Sequence, residues 1–174
     1  MARLGLSDKV EIRMQDYRDT RGEFDGIASI EMFEAVGERY WPTYFNAVRD
    51  RLRPGAQAVI QIIMVPDARF KNYSSNVDFI QKHIFPGGML GAPTPVRRVA
   101  ENAGLSYVDT HDFGKSYSDT LRRWHDAFNA RWDEISEMGY DARFKRMWDF
   151  YLTSCAAAFR GGACDVTQLV LQRP

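Results

Sequence analysis

The stretch Ser29-Ile-Glu-Met-Phe-Glu-Ala-Val-Gly-Glu-Arg-Tyr-Trp41 decides how this chain folds. The apolar run Phe24–Ile30 leads directly into it, and two carboxylates, Glu31 and Glu34, follow within one helical turn of each other. The order is a strand, then an acidic turn, then the start of a helix rich in aromatic residues. This order places the two carboxylates at the carboxyl end of the strand. In an open α/β sheet, loops and helix termini converge there around a ligand crevice. The stretch therefore predicts an α/β fold with a functional site beside these two carboxylates.

The composition is that of one globular domain of 174 residues with no net charge. Lys and Arg number 23, as do Asp and Glu, so no overall field attracts nucleic acid or an anionic membrane, and no nucleic-acid partner is expected. No apolar run is long enough to cross a bilayer, and the first residues lack the apolar core of a signal peptide. We therefore expect a cytoplasmic location, which leaves peripheral contact with the inner membrane open.

The cysteines and histidines do not indicate a metal site or a nucleophilic centre. Cys155 and Cys164 are too few and too widely spaced for zinc, and they are typical of small buried side chains. The three histidines, His83, His111 and His125, show no ligand spacing and no partnered nucleophile. No metal is expected.

Strand and helix signals alternate along the chain, which predicts a sheet with helices on its faces. Strands are predicted at 10–15, 25–30, 56–65, from 105 onward and at 165–171. Helices are predicted at 42–52, 77–84, 94–103 and, as a pair of long helices, at about 118–160. The strand at 25–30 is nearly continuous in apolar character, which predicts burial on both of its faces. Thr94 is expected to cap the helix that follows it.

Two aromatic-rich regions are expected to face inward. In the helix that begins at Pro42, these residues are Tyr44, Phe45, Val48 and Leu52. The long pair at 118–160 is predicted to be an insertion before the last strand. Its aromatic faces favour core packing, and the alternative is that they wall a pocket for a long apolar substrate.

Six motifs carry a resemblance to a known family. They are Gln15–Asp19, Ser29–Gly37, Phe79–Gly88, Phe113–Leu121, Phe144–Trp148 and Asp165–Gln168. Together they resemble the cyclopropane-fatty-acyl-phospholipid synthase family, which includes mycolic acid cyclopropane synthases and related fatty-acid methyltransferases. The match runs in order from Val10 to the end. Its Met-Phe-Glu turn at 32–34 and its Ile-Phe-Pro-Gly-Gly run at 84–88 are specific to that family.

The resemblance implies a fold and a reaction. The fold is the class I methyltransferase sheet, which is Rossmann-like. Members transfer a methyl group from S-adenosylmethionine to a double-bond carbon of a phospholipid acyl chain, and the resulting cation loses a proton. The product is a cyclopropane, a methylene group or a methyl branch. Carboxylate and phenol groups beside an apolar tunnel suit such a cation.

The resemblance also implies roles for individual residues. Asp16 and Tyr17 fall where the family contacts the adenine of the cofactor, and Arg18 and Glu31 are supporting cofactor residues. A second set falls on the site of a bicarbonate ion, the proposed base. In it, Glu34 and Tyr117 contribute side chains and Ile63 contributes a main-chain group. Without the resemblance, Glu34 would be interpreted as a helix-start carboxylate and Tyr117 as a packing residue.

Gln61 departs from the family pattern, because many cyclopropane synthases have a histidine at this catalytic position. Glutamine donates a hydrogen bond but takes up no proton near neutral pH. The departure puts a cyclopropane product in doubt and keeps a methylated or methylene-bearing acyl chain as the alternative.

The Gly-rich turn that approaches the cofactor in this family has no counterpart in the chain. Residues 1–174 are therefore expected to form a single partial methyltransferase domain, truncated at the amino terminus and lacking the first two strands and a cysteine of the bicarbonate site. In the family's strand order, 3-2-1-4-5-7-6, the strand that begins at Val10 is strand 3. The absence of strands 1 and 2 therefore leaves it without a neighbour. The same absence also makes Asp25–Ile30 an exposed edge, which favours association with other chains, including a homo-oligomer. We expect weak or no binding of S-adenosylmethionine by the chain alone, and calorimetry tests this.

Two other functions remain open. The first is methylation of a small amine, since relatives of the family act on plant alkaloids, and lipid extracts would separate it from acyl methylation. The second is a non-catalytic subunit that pairs its exposed edge with an intact synthase. A mixing experiment that looks for a stable hetero-complex would test the second.

Overall fold

A computed structural model describes Arg3 and residues 5–174. It contains four strands and seven helices in these ranges. The strands are β1 Phe24–Ile30, β2 Leu52–Met64, β3 Ser106–Asp112 and β4 Asp165–Gln172. The helices are α1 Trp41–Arg51, α2 Asp67–Ser74, α3 Phe79–His83, α4 Pro93–Asn102, α5 Gly114–Ala130, α6 Trp132–Glu137 and α7 Ala142–Arg160. Short 3₁₀ turns lie at Tyr17–Asp19, Phe33–Ala35 and Glu38–Tyr40.

The four strands form one sheet in the order β1-β2-β4-β3. Strands β1 and β2 are parallel, and β4 runs antiparallel to both β2 and β3. This is the 4-5-7-6 part of the expected methyltransferase sheet, so the predicted α/β fold is confirmed. The register places Gln61 opposite Ile30 on one side and opposite Gln168 on the other.

Two predictions about strands are wrong. Residues 10–15 have no regular structure, and the Met14 side chain is fully exposed. A strand needs a neighbouring strand for its backbone hydrogen bonds, and this segment has none among the described residues. Strand β1 is not buried on both faces, since only Ile27 and Ser29 are half-buried. Among the described residues β1 pairs with β2 alone, which confirms the exposed sheet edge.

The helices follow the predicted order with shifted ends. Tyr44, Phe45 and Val48 are buried on the inward face of α1, as predicted, and Leu52 is buried as the first residue of β2. Thr94 is not the cap of α4, because Ala92 occupies that position and Pro93 takes the first turn. The Thr94 hydroxyl donates instead to Asp67, over 2.7 Å, at the start of α2, a helix that the sequence did not predict. The helical insertion begins at Gly114 rather than at 118.

Two apolar cores lie on opposite faces of the sheet, as the alternation of side chains along β2 requires. The larger core joins β2 and β4 to α1 and α4. The smaller core joins α5 and α7 to the other face of β2 and β4. It contains Leu121, Leu152, Ala156, Phe159 and Val166, with Ile63 and Tyr117 packed against them. The aromatic faces of the insertion therefore form core in part, while Trp124 remains half exposed. In the described part of the chain, no helix combines the length and apolar character needed to span a membrane.

Gly114 allows the first turn of α5 to close against β4. Its backbone N–H donates to Asp165 Oδ1 over 2.6 Å, and a Cβ atom on Gly114 would lie 3.0 Å from the Asp165 Cα atom. We therefore expect Gly114→Ala to lower the free energy of unfolding by roughly 1–3 kcal/mol, because the added methyl group forces the backbone apart.

Urea denaturation measures this change. Gly26→Ala is the matched control, since a Cβ atom there makes only an ordinary contact at 3.7 Å with Gln57 O. The control should be neutral or slightly stabilising, because alanine loses less conformational freedom on folding than glycine. Equal stability losses in both variants would contradict the role of close packing at Gly114.

Candidate active site

The residue that follows strand β1, Glu31, has a strained backbone and bears a carboxylate. Glu31 N–H donates the last β1 hydrogen bond to Gln61 O, over 2.9 Å. Glu31 then adopts a φ of 51°, and it is the only non-glycine residue in the described part of the chain with a positive φ. That left-handed conformation is uncommon for residues other than glycine, asparagine and aspartate. It turns the chain sharply out of the sheet at the carboxyl end of β1.

Glu34 satisfies the next backbone donor of β2. Because β1 has ended, the Ile63 N–H finds no strand partner on that side, and it donates to Glu34 Oε1 over 2.6 Å. The other oxygen, Oε2, is buried and accepts no hydrogen bond from the described residues. The structure thus brings together Glu34 and Ile63, two of the predicted site residues, and leaves one carboxylate oxygen free.

Burial sets the protonation behaviour of Glu34. Burial of this carboxyl raises its pKa above the ordinary value of 4.5. The hydrogen bond from the Ile63 N–H lowers the pKa, but by less. The negative charge of Glu31 adds to the rise. Burial disfavours the charged form, and a nearby like charge does the same.

Glu31 is the centre of a second group of predicted residues. Tyr117 OH donates to its Oε2 and Gln61 Nε2 donates to its Oε1, each over 2.8 Å. Gln168 Nε2 donates in turn to Gln61 Oε1, over 3.0 Å. Glu31 was predicted as a supporting cofactor residue, a role that stays a prediction. Gln168 was not predicted as a site residue, although it ends the Asp165–Gln168 motif, and its position opposite Gln61 across the β2–β4 ladder indicates its role.

Tyr117 joins this group to the aromatic side chains of the insertion, which pack against the smaller core. Burial and the hydrogen bond to Glu31 both raise the pKa of Tyr117 above its ordinary value, so the phenol stays neutral and donates. Its ring lies 5.0 Å from that of Phe159. Burial raises the pKa of Tyr151 to about 12, and the charge of Glu31 contributes. The Tyr151 ring packs against Trp148 at 5.1 Å and Phe85 at 6.1 Å.

The Ile-Phe-Pro-Gly-Gly run, distant in sequence, lies against the Met-Phe-Glu turn. The residue after the run, Met89, donates its N–H to the Glu34 backbone oxygen over 2.8 Å. Tyr73 OH accepts from the Leu90 N–H over 3.0 Å and holds the same loop. Tyr73 was not predicted, since no motif marks it. The two family-specific motifs therefore form one structural unit around Glu34.

The predicted adenine contacts form a separate group. Asp16 binds the guanidinium of Arg18 at 2.7 Å, which lowers the pKa of Asp16 to about 2, and both side chains are exposed. Tyr17 packs edge-on against Tyr44 at 5.8 Å, and Tyr44 OH donates to Ser29 Oγ over 2.7 Å. Among the described residues, no hydrogen bond joins this group to Glu31. Its role in cofactor binding stays a prediction.

The raised pKa of Glu34 predicts a pH-dependent stability. A carboxyl whose folded pKa exceeds its unfolded value stabilises the fold fully below the unfolded pKa, and loses that contribution as pH rises through the folded pKa. Glu34→Gln keeps an acceptor for Ile63 but does not titrate. We expect the free energy of unfolding of the wild type, relative to Glu34→Gln, to fall as pH rises from about 4.5 through the raised pKa.

Urea denaturation at a series of pH values measures this difference. Glu38→Gln, an exposed position in the neighbouring turn, is the control and should give a much flatter dependence. A difference between wild type and Glu34→Gln that rises with pH would contradict the assignment.

Sequence comparisons connect this geometry to known proteins. Residues 1–169 match the family described as mycolic acid cyclopropane synthetase. The chain belongs to this family. It is 40% identical over 174 residues to the tuberculostearic acid methyltransferase UfaA1 of Mycobacterium tuberculosis. It is also 40% identical over 167 residues to the cyclopropane-fatty-acyl-phospholipid synthase of Escherichia coli K12. These matches cover 99% and 94% of the chain.

The family match is partial in length. The chain spans 41% of each of these two relatives, a share that fits the predicted match to a carboxyl-terminal portion of the family sequence. Among solved structures, the mycolic acid cyclopropane synthase CmaA1 complexed with SAH and CTAB superposes with a TM-score of 0.83 at 23% identity. That alignment covers 97% of this chain and 64% of CmaA1, and it supports the methyltransferase fold.

Proposed function

We propose that this family member forms the proton-abstracting part of an S-adenosylmethionine-dependent methyltransferase that acts on double bonds of phospholipid acyl chains. The observation that carries the proposal is the pair of carboxylates, Glu31 and Glu34, held beside the Tyr117 phenol at the carboxyl ends of β1 and β2. The names of the curated relatives, a fatty-acid methyltransferase and a cyclopropane synthase, support the substrate class.

The residues suit the chemistry of a carbon cation. S-adenosylmethionine, when bound, supplies an electrophilic methyl group. Carboxylates aimed at the place where positive charge develops stabilise it, and aromatic faces such as Tyr151 and Trp148 attract cations. The same apolar rings suit a hydrocarbon chain. The hydrogen bond from the Ile63 N–H holds the Glu34 carboxylate in place, so the side chain needs little movement when the cation forms.

The cofactor contacts in the chain are incomplete. The half-buried Tyr17 ring can stack on adenine, and the Asp16 carboxylate can accept from the exocyclic amine. Among the described residues, no strand is followed by a Gly-rich turn that lets the backbone approach the rest of the cofactor. We therefore expect residues 1–174 alone to bind S-adenosylmethionine weakly, and calorimetry on the purified chain tests this.

A chimera tests the activity. The amino-terminal part of the E. coli relative is joined to this chain and expressed in a host without its own synthase. The molecular masses of the fatty acids in the lipid extract are then measured by mass spectrometry. We expect unsaturated acyl chains to gain one CH₂ unit, or one CH₂ unit plus two hydrogens if a reductase completes a methyl branch. The chain alone is run in parallel, and its product should be much lower or absent.

The outcomes separate the alternatives. Label from S-adenosylmethionine that appears only in small amines would replace the lipid proposal with the amine methyltransferase. A chimera without product, together with a stable complex between the chain and an intact synthase, would favour the non-catalytic partner. Acyl products that Glu34→Gln and Tyr117→Phe reduce, while Glu38→Gln does not, would support the proposed function.

A further inference from the structure

We infer that the carboxylate of Glu31 takes the place of the bicarbonate ion expected in this family, so that the chain carries its own base at that position. The inference rests on the proposed function and names the proton acceptor within it.

Two hydrogen-bond donors converge on the Glu31 carboxylate. Tyr117 was predicted at the bicarbonate site and Gln61 at the position of the family's catalytic histidine. Both donate a hydrogen bond to Glu31, Tyr117 to Oε2 and Gln61 to Oε1. One carboxylate thus receives both donors at 2.8 Å. A bicarbonate ion would compete with Glu31 for these donors, and it would bring a third negative charge beside the carboxylates of Glu31 and Glu34. The residues present therefore do not fit the ion.

The backbone of Glu31 is strained. Glu31 holds a φ of 51°, a conformation that costs free energy in a residue with a side chain. Glycine would adopt it without strain. A glutamate at this position needs a compensating interaction, and its two charge-assisted hydrogen bonds are such an interaction.

Gln168 sets the orientation of the Gln61 amide. Its Oε1 accepts from Gln168, so its Nε2 points to Glu31 and donates. Glutamine does not titrate, and the raised pKa of Tyr117 keeps that phenol protonated. Glu31 is therefore the proton acceptor of this hydrogen-bonded group. Gln168 acts through Gln61 and is a positioning residue.

The chemical step balances with these groups. The π electrons of the double bond form the new bond to the methyl carbon, and the carbon–sulfur bond of the sulfonium breaks to leave a thioether. The neighbouring carbon becomes a cation. Glu31 takes a proton from the substrate, and the electron pair of that C–H bond closes the ring or forms the methylene double bond. The Glu31 carboxylic acid then returns its proton to water.

A binding experiment on the purified chain tests the inference without any turnover. ¹³C-labelled bicarbonate is titrated into the wild type, Glu31→Gly and the control Glu38→Gly, and its NMR line width is followed. We expect no saturable binding to the wild type or the control. We expect saturable binding to Glu31→Gly, because removing the side chain frees Tyr117 and Gln61. Circular dichroism checks the fold, and Glu31→Asn, which also tolerates a positive φ, is the second variant.

Two results would overturn the inference. One is saturable binding to the wild type that Tyr117→Phe abolishes. The other is the absence of binding to both Glu31 variants when both are folded.

The chimera gives an independent readout. Removing bicarbonate from the buffer should leave its methylation rate unchanged. Glu31→Gly should lower the rate roughly 10²-fold, and added bicarbonate or formate should restore part of it. Gln168→Leu should lower the rate less and should not respond to bicarbonate. Wild-type activity that depends on bicarbonate would overturn the inference and leave the proposed function intact. A chimera that makes no acyl product counts against the proposed function, while the NMR titration still decides which group occupies the anion position.

Discussion

Replacing Glu34 by glutamine in the chimera is expected to lower the yield of methylated acyl chains roughly 100-fold, because one preorganised charge at the developing cation is lost. The substitution keeps the shape of the side chain and the hydrogen bond from Ile63, which Glu34 Oε1 accepts over 2.6 Å. Burial of the second oxygen, Oε2, means that water does not screen the charge that is removed. We therefore expect a lower rate for the folded protein, in addition to the pH-dependent change in stability expected for the same substitution.

Product formation from saturating S-adenosylmethionine measures this effect, with circular dichroism as the check on folding. Glu38→Gln removes the same charge from the next turn, where the side chain is exposed, and should leave the rate within about twofold of the wild type, as is usual for surface changes away from a site. A Glu34→Gln rate as high as that of the control would show that the carboxylate takes no part in the reaction.

Replacing Phe33 by alanine is expected to cost about 3–5 kcal/mol in the free energy of unfolding, the range found for buried aromatic residues. Phe33 is 0% exposed, and its ring stacks on Trp41 at 5.0 Å. It also contacts Tyr44 at 5.3 Å and Phe45 at 5.5 Å. The substitution leaves a cavity where the Met-Phe-Glu turn meets α1, and these large rings cannot readily close it.

Urea denaturation of the purified chain measures the loss. Phe24→Ala removes the same ring from β1, where it is 41% exposed, and should cost no more than about 1 kcal/mol. Similar losses in both variants would contradict the role of Phe33 as the centre of the aromatic cluster. A loss of 3–5 kcal/mol is a large part of the stability of an ordinary domain, so Phe33→Ala is best studied at low temperature.

The sequence located much of the site. The Met-Phe-Glu turn and the resemblance together indicated Glu34, Ile63, Tyr117 and Gln61, and the structure joins these residues in two hydrogen-bonded groups that meet at the carboxyl end of β1. The pairing of Glu31 with Tyr117, 86 positions away, was not predicted. Such a contact depends on how α5 packs on the sheet, which no local pattern records.

The strand predicted at 10–15 was wrong for a related reason. Its alternating pattern fits a strand, but the pattern describes only which side chains can face a core. A strand also needs a partner for its backbone groups, and among residues 5–174 none lies beside this segment. Here the tertiary context overrides the local preference.

The sequence by itself determined the order of the four observed strands, the inward face of α1 and the α/β class, because hydrophobic periodicity is a local property of each segment. Only the tertiary structure decided which carboxylate accepts the hydrogen bonds of Tyr117 and Gln61. The positive φ of Glu31, the β2–β4 register that places Gln168 beside Gln61 and the packing of α5 all contribute to that choice. Each of these is a backbone conformation or a contact between distant segments, and the local pattern of apolar and polar side chains does not determine it.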